Sequence, residues 1–134
     1  MTPRRRDERG SMAVEVVILA PVLLMFAMLV VAGGRYVGVE GDIQAAARDA
    51  ARAASLQDTR AEAEQAARST IAASLDRDGC AAGIDTSGWG PDGTVSVRLS
   101  CDVSYSDLGL LGISRTVTID ADSRVRLDPY RRLE

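Results

Sequence analysis

The sequence predicts an α+β fold: a long N-terminal membrane-spanning helix that continues into an Ala-rich helical region packed on a small antiparallel sheet. Three observations lead there. The run from Val16 to Ala32 is continuously apolar apart from Pro21. Between residues 37 and 76, Ala recurs at the three- and four-residue spacing of a helix face. From Val95 to Leu127, two stretches alternate apolar and polar residues, the period of a half-buried strand. The chain then divides into a basic leader (1–10), a transmembrane helix (11–34), an Ala-rich extracytoplasmic helical region (35–76) and a small β part (77–134).

Composition narrows the function. In 134 residues there is room for one small domain and an anchor. Hydrophobic content is 46% but aromatics only 4%, so much of the apolar character is Ala and the membrane run, and a large soluble core is not expected. His is absent, which removes the commonest general base and metal ligand. The net charge is −3; the leader carries four Arg against Asp7 and Glu8, a formal +2, which leaves −5 for residues 11–134. A nucleic-acid partner would need a basic face, and this balance argues against one.

Val14 to Ala32 is 19 residues, roughly 28 Å of helix at 1.5 Å per residue. A hydrocarbon core is about 30 Å thick, so the segment spans with little length to spare. Arg4, Arg5, Arg6 and Arg9 precede it, and only Arg35 closely follows. Excess Arg stays on the cytoplasmic side, which puts the N-terminus inside and the bulk of the chain outside. Pro21 removes one backbone donor, which a membrane helix tolerates with a local bend. Gly33-Gly34 reads as a flexible outer end. The rival reading of the same run is a secretory signal cut after Ala32, to which an ionisable Glu15 at the start of the apolar core is a poor fit.

Glu15 is the costly residue. A charged side chain at a bilayer centre costs roughly 2.5–3.5 kcal/mol on insertion scales, less near the interface. Something must offset that if Glu15 enters ionised.

Gly10, the small residue Ser11 and Glu15 ahead of an apolar helix resemble the processing site of type IV prepilins. The longer string Gly-Ser-Met-Ala-Val-Glu-Val-Val-Ile-Leu-Ala-Pro, residues 10–21, is similar to the TadE-like minor pilins (pseudopilins) of the tight-adherence, or Flp, pilus. The stretch Arg48-Asp49-Ala50-Ala51-Arg52-Ala53-Ala54 resembles that family too. The likeness covers residues 9–55 well and the remainder only in layout. It implies a pilin-like fold, cleavage after Gly10 by a prepilin peptidase, and a role in assembling the pilus from the inner membrane. The implied partners are that peptidase, other pilin or pseudopilin subunits, pilus assembly proteins and membrane lipid. Cleavage would free the α-amino group of Ser11, mostly protonated at neutral pH with a reference pKa of about 7.7–8.0. That cation could meet the Glu15 carboxylate of a neighbouring copy. An alternative from another class is an unprocessed single-pass protein whose outer domain binds a partner in a secretion or envelope complex.

In the helical region Ile43, Ala47, Ala50 and Ala54 share one face, with Arg48 and Arg52 off it, and Asp42 is placed to cap the start. Thr59-Arg60-Ala61-Glu62 has the form of a capping box and marks a fresh start after residues 55–58. Ala63, Ala67, Ile71 and Leu75 form the second stripe. So few large apolar side chains make a thin Ala seam, suited either to packing on the sheet or to contact with another subunit.

Further on, Asp78-Gly79 and the Gly-rich Gly83 to Gly93 read as loop, with Pro91-Asp92-Gly93 a turn. Val95, Val97, Leu99, Cys101, Val103 and Tyr105 face one way from the first strand; Val117, Ile119, Ala121, Ser123, Val125 and Leu127 do so from the second. The two are expected to pair antiparallel across Ser106–Ser114. Two strands alone are marginal, so they need a helix on their apolar face. Cys80 and Cys101 are the only cysteines, and outside the membrane a disulfide between them is expected; two buried free thiols or a metal pair are the alternatives. Zinc would lack ligands here. Leu108 to Ile113, an apolar loop, and Trp89, set between two glycines, are either core packing or contact surface.

No catalytic constellation emerges. There is no phosphate loop with Lys and no nucleophile–base pair, and Asp120 and Asp122 share a strand face without a further ligand. No cofactor, metal or small-molecule substrate is expected. The chain looks like the substrate of an enzyme, the peptidase acting at Gly10.

Overall fold

The computed structural model describes residues 9–76, 78–104 and 116–130, with side chains from residue 14 onward. The leader up to Glu8, the Leu108–Ile113 run, Tyr105 and the Arg131–Glu134 end lie outside the described residues. The elements are α1 (Arg9–Ser55), α2 (Arg60–Ser74), β1 (Cys80–Gly88), β2 (Thr94–Ser104) and β3 (Thr116–Arg126). The fold class is α+β. The chain divides into two units, residues 1–36 and 37–134.

Within the first unit, α1 contains Pro21, and residues 14–31 are all solvent-exposed. Val16, Val17, Leu24, Met25 and Leu29 are each more than 60% exposed. α1 runs unbroken through Gly33-Gly34, so these glycines lie inside the helix. Each costs about 1 kcal/mol in a helix interior, less than a broken turn of backbone hydrogen bonds. Asp42 likewise lies inside the helix and caps nothing.

In the second unit the helix face predicted from spacing is the buried one: Ile43, Ala47, Ala50 and Ala54 are fully enclosed, joined by Ala46 and Ala51. Helix α1 stops at Ser55. Thr59 then caps α2 in extended backbone, its Oγ1 accepting the Glu62 N–H at 3.2 Å and donating to Glu62 Oε2 at 3.0 Å. Ala63, Ala67 and Ile71 are the buried stripe of α2, with Leu75 at its C-terminal cap.

The sheet is an antiparallel meander in the order β1-β2-β3. Strand β1 falls inside the stretch that reads as Gly-rich loop in the sequence. Its inward residues Cys80, Ala82, Ile84 and Thr86 do alternate, but all except Ile84 are small or polar, so the period carries little hydrophobic signal. A bulge follows Asp85: Thr86 and Ser87 oppose the single Val95. The turn after it has Pro91 second and Asp92 third at φ 62°, closed by the Gly93 N–H donating to the Gly90 carbonyl at 2.9 Å. Asp tolerates this left-handed backbone better than most residues.

The apolar face of the sheet lies under the helices of this unit. Val95, Val97, Leu99 and Cys101 of the central strand are sealed, with Ile119 and Ala121 beside them from β3 and Leu127 just past its end. Bulk comes from the strands and small side chains from the helices, so the helix backbones can lie close to the sheet. Two polar links tie the layers: Gln44 Nε2 donates to the Asp122 carbonyl at 3.1 Å, and Thr86 Oγ1 donates to Glu64 Oε1 at 3.1 Å. Trp89 is half-buried against this core, which favours packing over contact surface. Its Nε1–H is buried without an acceptor among the described residues.

Candidate assembly helix

The predicted site residues converge on the first two turns of α1. Gly10 and Ser11 lie in its first turn, and Glu15 follows Ser11 by four residues, about 6 Å along the axis. Glu15 is the sole charged residue between Arg9 and Arg35. Its neighbours Val14, Val16, Val17, Ile18 and Leu19 are exposed hydrophobics. A carboxylate is thus displayed in an otherwise apolar cylinder. By length and composition α1 from Val14 onward can cross a membrane, and its most apolar window is wholly unburied by the rest of the chain. A helix in the core of a folded domain would have that window covered.

Such a cylinder presents its side chains to lipid or to other helices. A lone carboxylate in it selects a cation or hydrogen-bond donor, since burying it unpaired is costly. That is the chemistry of docking.

Residues 10–52 match the family model described as TadE-like protein. The TadE-like segment therefore holds Gly10, Ser11 and Glu15, the whole apolar run and the first turns of the Ala face. No curated protein and no solved structure matches the chain.

The other site expectation concerned the cysteines. Cys80 and Cys101 occupy paired positions in the β1–β2 register, with sulfurs joined at 2.05 Å. The bridge fastens the start of the edge strand β1 to the central strand. Asp120 and Asp122 are exposed on the outer face of β3. Among the described residues no group of three His, Cys, Asp or Glu is placed to hold a metal. The Ala seam, which the sequence leaves open to either use, is consumed within the chain: from Ile43 to Ala67 its members pack on the chain's own sheet.

What the sequence reading missed is a groove beside β1. Its walls are Ile71, Ala72 and Leu75 of α2 and Cys80 and Ala82 of β1. The missing signal is the same one that hid β1, a strand made of small residues.

Proposed function

We propose that this chain is a TadE-like minor pilin, or pseudopilin, that a prepilin peptidase cleaves after Gly10 and that assists assembly of a Flp, or tight-adherence, pilus. In this reading the helix inserts with the leader in the cytoplasm and residues 37–134 outside, as a single-pass protein of the inner membrane. Cleavage leaves Ser11 as the new N-terminus. Its ammonium group then pairs with Glu15 of a neighbouring subunit, which removes the cost of burying that carboxylate and fixes the axial stagger between copies.

The observation that carries the proposal is the family match over residues 10–52, which includes Glu15 as the one charge in the apolar helix. The test is the mass and N-terminal sequence of the protein extracted from its native membrane, with a Glu15→Ala variant beside it. Ser11 as first residue, with normal insertion but defective pilus assembly in the variant, is the expected result. Met1 or Thr2 would favour an unprocessed anchor whose outer domain serves an envelope complex. Gly33 would mean secretion. Intact assembly in Glu15→Ala would sink the pairing mechanism.

A further inference from the structure

The two edges of the sheet are not alike. β3 carries Asp120, Asp122, Arg124 and Arg126, alternate charged residues of the kind that guard an exposed edge. β1 carries only Asp85 among nine residues, with no Pro and no basic side chain. It pairs with β2 along one side, and no strand pairs with its other side among the described residues. The disulfide to Cys101 holds it in place at one end and the Glu64–Thr86 hydrogen bond near the other. This edge is tied near both ends, carries a single charge and is short of side-chain bulk.

Beside it runs the groove. It has a volume of about 530 Å³, within the span of clefts that bind ligands. Ile71 and Leu75 are its buried lining, with the exposed Ala72 on α2 and the half-buried Ala82 on β1. Cys80, Ala82 and Ile84, which alternate with the exposed Ala81, Gly83 and Asp85, are only half-buried. A strand added next to β1 would direct every second side chain into this space. At the Cys80 end of the groove are Asp76 and Asp78, after the C-terminus of α2, where helix carbonyls add further negative potential. Residues 37–134 as a whole hold sixteen Asp and Glu against eleven Arg, a net −5.

We propose that the β1 edge and this groove bind an extended segment of a partner protein by antiparallel strand addition. The segment carries branched apolar side chains at alternate positions and a basic residue at its C-terminal end. The backbone of β1 supplies the main-chain hydrogen bonds, and the groove accepts the apolar side chains. Antiparallel pairing brings the segment's C-terminal end to Cys80, so its basic residue meets Asp76 and Asp78. Arg68 on the α2 flank disfavours a basic residue earlier in the segment. This interaction is independent of Glu15 and of cleavage at Gly10, so it stands or falls separately from the pilin reading.

The test uses the full chain in detergent micelles and a fluorescein-labelled hexapeptide, Thr-Val-Thr-Ile-Thr-Arg, followed by anisotropy. Saturable binding is expected. N-methylation of alternate peptide amides should weaken it at least tenfold, since the composition is kept and the strand bonds are lost. Ala72→Arg, an exposed helix position that should leave the fold intact, should do the same. Ala81→Arg, on the opposite face of β1, should leave binding within twofold. Replacing the peptide's Arg with Asp should weaken binding to the native chain and not to Asp76→Arg. Equal binding of the N-methylated peptide, or no saturable binding at all, would overturn the proposal. So would self-association of the chain, abolished by Ala72→Arg and insensitive to the peptide, which would assign the edge to a second copy.

Discussion

Cys80 and Cys101 sit directly opposite each other on β1 and β2, their Cα atoms 4.0 Å apart and their sulfurs bonded. The bridge closes a loop with a sequence separation of 21. In the chain-entropy model a loop of that size is worth about 3 kcal/mol, gained by restricting the unfolded chain. The double variant Cys80→Ala/Cys101→Ala should lower the melting temperature of the unit formed by residues 37–134 by on the order of 10 °C or more. Differential scanning calorimetry of oxidised, reduced and variant protein checks this. Reduced and variant protein should coincide, and two reactive thiols in native protein would contradict the bridge.

The Ala face of α1 lies in the chain's own core, and this makes Ala50 a decisive position. It is fully buried against the sheet. Ala50→Leu should cost about 1–3 kcal/mol by overpacking, measured as a fall in the urea midpoint at unchanged slope. Unchanged stability with lost pilus assembly would mean that this face meets another subunit instead.

Thr59 holds the start of α2 with one side-chain oxygen that both accepts from the Glu62 N–H and donates to its carboxylate. Thr59→Ala should destabilise by about 1 kcal/mol, and Thr59→Gly by only a few tenths of a kcal/mol. Thr59→Ser should retain nearly all of the stability. The three variants can be ranked by chemical denaturation.

Asp85 is solvent-exposed at the β1 bulge, and its carboxyl is held below the ordinary aspartate range. The Ser87 side chain is the chief cause, followed by the Ser87 backbone N–H at 2.9 Å, with Arg98 and Arg124 adding weaker attraction. A depressed folded-state value contributes stability that is present above about pH 3.9, the unfolded aspartate value, and is lost as pH falls through the folded one. A carboxyl-detected NMR titration should place the Asp85 midpoint below that of a model peptide. Ser87→Ala should move it upward.

Much of this was legible before any coordinates. The face through Ile43, Ala47, Ala50 and Ala54, the Thr59 cap and the alternation in β2 and β3 each follow from a repeat that packing then respects. Glu15 is conspicuous because a charge among Val and Leu has no innocent place in lipid. Two misreadings share a cause. Asp42 looks like a helix start on local propensity, worth about 1 kcal/mol or less per residue, and a continuous hydrogen-bonded helix outweighs that. β1 looks like loop because Ala82, Gly83, Ser87 and Gly88 hardly register as apolar or polar. Its strand character comes from pairing with β2 and from the sulfur bridge, and neither is local in sequence. The groove beside it was invisible for the same reason.

Gln44 donates to the backbone of Asp122, 78 residues further along. The helix bearing Gln44 is synthesised before β3, which is part of its cover. Until β3 emerges, the row of alanines on that helix waits without the whole of its roof. A protein built in this order cannot finish residues 37–134 piecemeal: termination before β3 removes Ile119, Ala121 and Leu127 from the core, and quality control need only recognise the stripe left uncovered.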